Sequence, residues 1–203
     1  MNTPIPITLA AEDELSETVL RVILDRSSRR FAVGQCLRRG GNTYLKSIVN
    51  GLNKAARSTP YLLLTDLDRS ECPPALIQDW LTAPRHPNLI FRVAVREVEA
   101  WVLAHKQAFA SFFGVPEVRI PDDVDAIHDP KEFLINLMKR SKKRRIREDI
   151  VPPPGSTAKV GPNYNEHLCQ FVETYWDKDQ AKQRSRSLER SLQMIEKFAP
   201  TWP

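Results

Sequence analysis

The sequence predicts an α/β fold built on a mainly parallel four-stranded sheet, followed by a helical extension. Two observations carry this. Through the first two-thirds of the chain, short β-rich apolar runs alternate with helix-period segments, the pattern of βαβ units. After Gly114 the strand signals stop and only helical patterns and proline-rich loops follow. At 203 residues the chain fits one Rossmann-like domain with an appendage. It divides into a core over 1–114 and a helical extension over 115–203 packed on that core.

ITLAA (7–11) reads as the first strand. ELSETVLRVILDRSS follows, with Leu15, Val19, Leu20, Val22 and Ile23 near helical spacing. FAVGQ (31–35) is the second strand. After Gly40 and Gly41, NTYLKSIVNGLNKAAR (42–57) sets Leu45, Ile48, Val49 and Leu52 on one helical face. YLLLT (61–65) is the third and most hydrophobic strand. PPALIQDWL (73–81) opens with prolines suited to a helix's first turn. NLIFRVAV (88–95) is the fourth strand, and REVEAWVLAHKQAFASFF (96–113) is a long helical pattern.

In the extension, VPEVRIPDDVDAIHDP has turn chemistry. KEFLINLMKRSKKRRIREDI is one helix or two short ones. VPPPGSTAKVGP (151–162) holds four of the sixteen prolines and is read as irregular, because proline lacks the amide donor of regular structure. NEHLCQFVETYW and RSRSLERSLQMIEKF are the last helical segments.

This length buries a core without disulfides or structural metal. Cys36, Cys72 and Cys169 are odd in number and have no CxxC spacing, so they read as reduced thiols. The N-terminal stretch has no basic segment of the signal-peptide type, and no apolar run approaches the roughly 20 residues of a membrane span. A cytoplasmic protein with no membrane association is expected. The net charge of +5 decides little. Its distribution says more, because seven of the nine residues in KRSKKRRIR (139–147) are basic while acids gather after apolar runs.

In a parallel sheet the ligand crevice lies beyond the carboxyl ends of the strands. Three of the four expected strands run into acids there: Glu12, Asp13 and Glu14 after the first, Asp66 and Asp68 after the third, Glu97 and Glu99 after the fourth. Like charges so placed repel one another unless a cation joins them. Hard oxygen ligands suit Mg²⁺ or Mn²⁺, and one or two such ions would clamp the oxygens of a phosphodiester displacement. Acids after strands also cap helices or suit their first turn. Asp13, Glu14, Glu97 and Glu99 fit that second role as well.

The pieces AEDELSETVL, LLLTDLDRSECP, REVEAWVLA and KVGPNYNEHL together resemble the Toprim domain. The likeness is to small stand-alone nucleases similar to the overcoming-lysogenization-defect (OLD) family, which are often encoded beside ABC-type ATPases in prokaryotic anti-phage systems. The resemblance implies a Toprim core and a metal-dependent endonuclease that nicks or cuts nucleic acid, DNA in preference to RNA, with an ABC-type ATPase partner. It maps the first-motif glutamate to Glu12, the metal-binding pair to Asp66 and Asp68, and the later acidic pair to Glu97 and Glu99. Two positions depart from the pattern. Asp13 stands where glycine is usual, and Ser16, beside Glu17, stands where an acid is common. A catalytically weak or inactive nucleic-acid-binding or regulatory protein of the same fold is the alternative reading.

A lysine suits the charge that develops on a phosphate, and Lys131 in HDPKEF and Lys159 in GSTAKVGP are the candidates. The basic positions Lys139, Arg140, Lys142, Lys143, Arg144, Arg145 and Arg147, with Lys131, are the expected phosphate contacts. A solvated basic surface is the plainer reading of the same residues. The four histidines share no metal-ligand spacing, and GGNTYLK lacks the P-loop pattern. Phosphatases of the haloacid dehalogenase type also place Asp-x-Asp after a strand, but after their first; here it follows the third and continues Arg69-Ser70. Self-association into a homo-oligomer is left open.

Overall fold

The computed structural model describes residues 3–202. Strands Ile5–Ala11 (β1), Phe31–Leu37 (β2), Tyr61–Asp66 (β3) and Leu89–Ala94 (β4) form one all-parallel sheet of order β2-β1-β3-β4. Helices Glu14–Asp25 (α1), Gly41–Ala55 (α2) and Pro73–Trp80 (α3) connect them. The expected α/β fold with a Rossmann-like parallel sheet is the one that forms.

Two compact units divide the chain. The first runs through Val95 and regains the stretch from Glu189 onward; the second is Arg96–Leu188. The compositional change after Gly114 coincides with the end of a helix inside the second unit, where Gly114 closes that helix at φ 67°.

In the first unit, side chains alternate across the sheet. Ala10, Leu63, Leu89, Phe91 and Val93 pack with Leu45, Val49 and Leu52 of α2 and with Leu76 and Trp80 of α3. Trp80 lies tilted on Phe91 with 5.6 Å between centroids. On the amphipathic α1, Leu15, Val19, Leu20 and Ile23 are buried, and the helix packs along β1 and β2. Arg92, whose side chain emerges opposite Phe91, donates from Nε to Ser191 Oγ at 3.1 Å. β2 is an edge strand. Its pairing with β1 slips between Ile7 and Leu9, whose partners Val33 and Cys36 lie three residues apart, so β2 carries a bulge.

Helix starts follow local chemistry. Asp13 caps α1 by accepting from the Ser16 N–H at 2.8 Å. Pro73 and Pro74 occupy the first turn of α3, where a missing N–H costs nothing.

The second unit holds Val98–Leu103 (α4), Lys106–Phe113 (α5), Pro130–Met138 (α6), Arg144–Ile150 (α7), Tyr164–Thr174 (α8) and Lys178–Ala181 (α9); the last helix, Arg186–Glu196 (α10), begins there. The single pattern read over 96–113 is therefore two helices, broken at Ala104 and His105. The residues from Val98 to Ala104 are all buried, so this stretch has no polar face whose phase would show the break. The segment carrying the basic run also resolves into two helices, α6 and α7. Trp101, Phe109, Phe113, Phe171 and Trp176 are fully buried. Both indoles find acceptors: Trp101 Nε1 donates to Ser187 Oγ at 2.7 Å and Trp176 Nε1 to the Trp101 carbonyl at 2.9 Å. Among the described residues no helix is long and apolar enough to cross a membrane.

Candidate functional site: carboxylates of the two units

In the first unit, β1 and β3 are parallel neighbours, with Ala11 beside Leu64. Their carboxyl ends therefore lie at the same sheet edge, and each runs into an acid. Glu12 reaches across to β3, where its Oε1 accepts from the Asp66 N–H at 2.8 Å and from the Thr65 hydroxyl. Burial raises the Glu12 carboxyl above its usual range. The bonds from Thr65 and Asp66 oppose this, and the nearby charges of Asp68 and Asp13 add to it.

Asp66 ends β3 and is buried. Leu67 continues the ladder by donating its N–H to the Ala94 carbonyl at 2.9 Å. The chain then turns, with Ser70 N–H donating to Leu67 O at 2.9 Å and Asp68 in the left-handed region at φ 48°. Aspartate tolerates that region better than most residues. Asp68 is exposed and accepts from Asn42 Nδ2 at 3.0 Å. Gly40 and Gly41, both at positive φ, make the turn that brings Asn42 into the first turn of α2.

The remaining first-motif positions have structural partners. Asp13 is the α1 cap. Glu17 receives Arg21 Nε at 2.9 Å and Arg38 Nε at 3.0 Å. Burial works against the Glu17 charge, yet the two guanidiniums outweigh it and hold the carboxyl below its usual range. Beside it, burial pushes the Cys36 thiol up to about 12, with the Glu17 charge adding to the effect.

In the second unit, Glu97 and Glu99 lie on either side of Val98, the first residue of α4. Glu97 Oε2 accepts from the backbone N–H of Lys131 at 2.7 Å, in the first turn of α6. Asp129 caps the same helix by accepting from Glu132 N–H at 2.8 Å. Glu99 is only 1% exposed. Its Oε1 accepts from the Tyr164 hydroxyl at 3.0 Å and lies 3.3 Å from Lys131 Nζ. Burial and then the Glu99 charge push the Glu97 carboxyl up to about 7, although the Lys131 N–H and ammonium pull it down.

Tyr164 is set in place by the segment before it. Gly161 N–H donates to Ile150 O at 2.8 Å, and Asn163 N–H to Asp149 O at 3.0 Å. A Cβ on Gly161 would sit 2.4 Å from the Asp149 carbonyl oxygen, so only glycine allows this approach. Asp149 also accepts from Asn163 Nδ2 at 3.2 Å and lies 2.8 Å from His167 Nε2. The KVGPNYNEHL stretch thus clamps the end of α7 and delivers the tyrosine. Tyr164 is the site residue that sequence reasoning passed over. The proline-glycine turn at the mouth of a helix was its only local signal.

Of the two candidate lysines, Lys131 lies within this carboxylate network, whereas Lys159 is exposed in the segment after α7. The basic run divides too. Lys139 Nζ donates to Asn136 Oδ1 at 2.8 Å, Lys143 Nζ to Phe112 O at 2.7 Å, and Arg147 Nη1 to Ser141 O at 2.7 Å. Arg144 pairs with Glu148 at 2.7 Å. Arg140, Lys142 and Arg145 are exposed. Among the described residues no three His, Cys, Asp or Glu side chains are grouped as a ready-made metal site.

Fold and side chains define an α/β protein whose parallel sheet ends in carboxylates, joined in sequence to a helical unit with a buried glutamate network. No protein-family model, curated protein or solved structure matches the chain.

Proposed function

We propose that the protein is a metal-dependent nuclease of the Toprim type that hydrolyses phosphodiester bonds, DNA in preference to RNA, together with an ABC-type ATPase partner. The observation that carries this reading is Glu12, held by the end of β3 beside Asp66 and close enough to Asp68 to feel its charge. Carboxylates at the carboxyl edge of a parallel sheet stand where ligands of this architecture bind.

The donor set fits Mg²⁺ or Mn²⁺. All are hard oxygens, and Mg²⁺ binds through one or two carboxylates while keeping several waters, so a preformed three-carboxylate group is not required. Glu12, Asp66 and Asp68, all in the first unit, would hold one cation. When bound, the cation would polarise the phosphate and lower the pKa of its water. Glu12, held by Thr65 and Asp66, would orient that water.

The test is nicking of supercoiled plasmid with Mg²⁺ or Mn²⁺, with and without the ATPase, by wild type, Asp66→Ala and Asp68→Ala. Nicking is expected only for wild type. Undiminished nicking by both variants, or none by folded wild type under any divalent metal, rules the reading out.

One observation favours the alternative of a non-catalytic nucleic-acid-binding or regulatory protein. Asp13 and Glu17, the acids at and beside the two positions that depart from the Toprim first motif, are committed to a helix cap and to two arginines. Metal titration by calorimetry separates the two readings, since no heat of binding at the carboxylates is expected of the non-catalytic protein.

A further inference from the structure

A cleft of about 450 Å³ in the second unit is lined by His105, by Gln107, Ser111 and Phe112 of α5, by Lys143, and by Tyr175 just after α8. That volume falls within the range of small-molecule sites. None of these residues belongs to the carboxylate network.

Tyr175 is 54% exposed, yet it is fixed on several sides. Its N–H donates to Phe171 O at 2.9 Å, and its ring lies 5.2 Å from that of Phe112 at 45°. His105 secures the same turn: its Nδ1 accepts from the Asp177 N–H at 3.0 Å, and it bonds to the Tyr175 backbone. Burial lowers the His105 pKa, which favours the neutral ring that this acceptor role needs. The exposed Tyr175 ring thus rests on a half-buried Phe112, which packs in turn on Phe113 and Phe171.

The rim is cationic. Lys143 Nζ bonds to Phe112 O at 2.7 Å and stands 5.8 Å from the Phe112 ring centroid. One of its three donors is used there, so two remain for a phosphate. Lys142 N–H donates to Gly114 O at 2.9 Å, which ties the basic run to the end of α5. Arg140 and Lys142 are exposed along that run. Gln107 adds an amide and Ser111 a hydroxyl to the lining, groups that both donate and accept and so match a base edge without selecting one base.

We infer that this cleft receives an unpaired base of single-stranded nucleic acid, stacked on Tyr175 and Phe112, while Lys143 and the exposed cations of the basic run take the adjoining phosphates. Aromatic platforms beside cationic tracks are the usual means of holding single strands with little sequence preference. In a duplex the base faces are already stacked and do not reach these rings. A basic run would also attract an acidic peptide, but carboxylate side chains offer no flat face to stack on the two rings.

The experiment measures anisotropy of labelled oligo(dT), of a blunt duplex of equal length and of an acidic peptide with the full chain in EDTA, where no cleavage occurs. Oligo(dT) is expected to bind best, and Tyr175→Ala to weaken it about tenfold while Tyr175→Phe keeps the affinity. Arg140→Ala with Lys142→Ala should lower the salt slope by about 1.4, at about 0.7 for each phosphate contact on a single strand. Circular dichroism of Tyr175→Ala guards against loss of fold. Affinity of folded Tyr175→Ala within about twofold of wild type, absence of oligo(dT) binding at low salt, or tighter binding of the duplex or peptide would each overturn the inference. Binding is read in EDTA and nicking with Mg²⁺ or Mn²⁺, so failure here and failure of the nuclease reading give different results.

Discussion

The carboxylate of Glu12 accepts the backbone N–H of Asp66, 54 residues along the chain, at 2.8 Å. It thereby joins the carboxyl ends of β1 and β3, and the same side chain is both a structural brace and the leading candidate for chemistry. Glu12→Gln separates the two roles. The amide oxygen still accepts from Thr65 and Asp66, and a partly buried charge disappears, so thermal stability should be unchanged or higher. Glu12→Ala leaves those donors without their acceptor and should cost about 1–3 kcal/mol. Metal-dependent nicking should be lost in both, which plasmid assays run beside thermal melts will show.

Lys131 and Glu99 form a second linked pair. Lys131→Met leaves a buried carboxylate without its counter-charge and should destabilise by about 1–3 kcal/mol, less than for a fully buried pair because the lysine is partly exposed. Adding Glu99→Gln should restore most of the loss, since a neutral amide needs no ammonium and still accepts from Tyr164. Urea unfolding of the two single variants and the double variant measures this. Losses that merely add would show that the pair is not coupled.

Gly161 lies against the carbonyl of Asp149. Gly161→Ala forces a Cβ to within 2.4 Å of that oxygen and should cost about 1–3 kcal/mol, as overpacking does. Tyr164 would shift with the displaced backbone. A melting temperature equal to that of wild type would show that the clamp gives way freely.

Glu17 sets a pH dependence. Its carboxyl is held below the ordinary 4.5 by Arg21 and Arg38, against the effect of burial. A depressed carboxylate binds fewer protons in the folded than in the unfolded state, so its contribution is fully present above pH 4.5 and is lost as pH falls through the lower folded value. Urea unfolding of wild type and Glu17→Gln should show the wild type more stable at neutral pH, with the two curves converging in acid. A constant gap across the range would refute this assignment.

The strands were legible because each is a compact apolar run bounded by turn residues, and their parallel arrangement followed from the helices between them. Positions of acids along the chain were legible for the same reason. What the acids bind was not. Thr65 is no more conspicuous than any other strand threonine until β1 and β3 are neighbours, and Tyr164 meets Glu99 only through a glycine clamp on α7. Net basicity of residues 139–147 was evident from composition. Local sequence carries no sign that Lys143 bonds to a carbonyl of α5 or that Arg147 turns back to Ser141. The break between α4 and α5 stayed hidden because its N-terminal half is buried all round, Glu99 included.

The bulge in β2 bears on how copies of the chain meet. An incoming strand needs a regular row of backbone donors and acceptors to lengthen a sheet, and the slipped register between Val33 and Cys36 interrupts that row at the open margin. Arg38 and Arg39 follow immediately, adding like charge that two facing copies would have to bring together. Sheet extension through β2 is therefore disfavoured, which leaves β4 as the margin with a regular register.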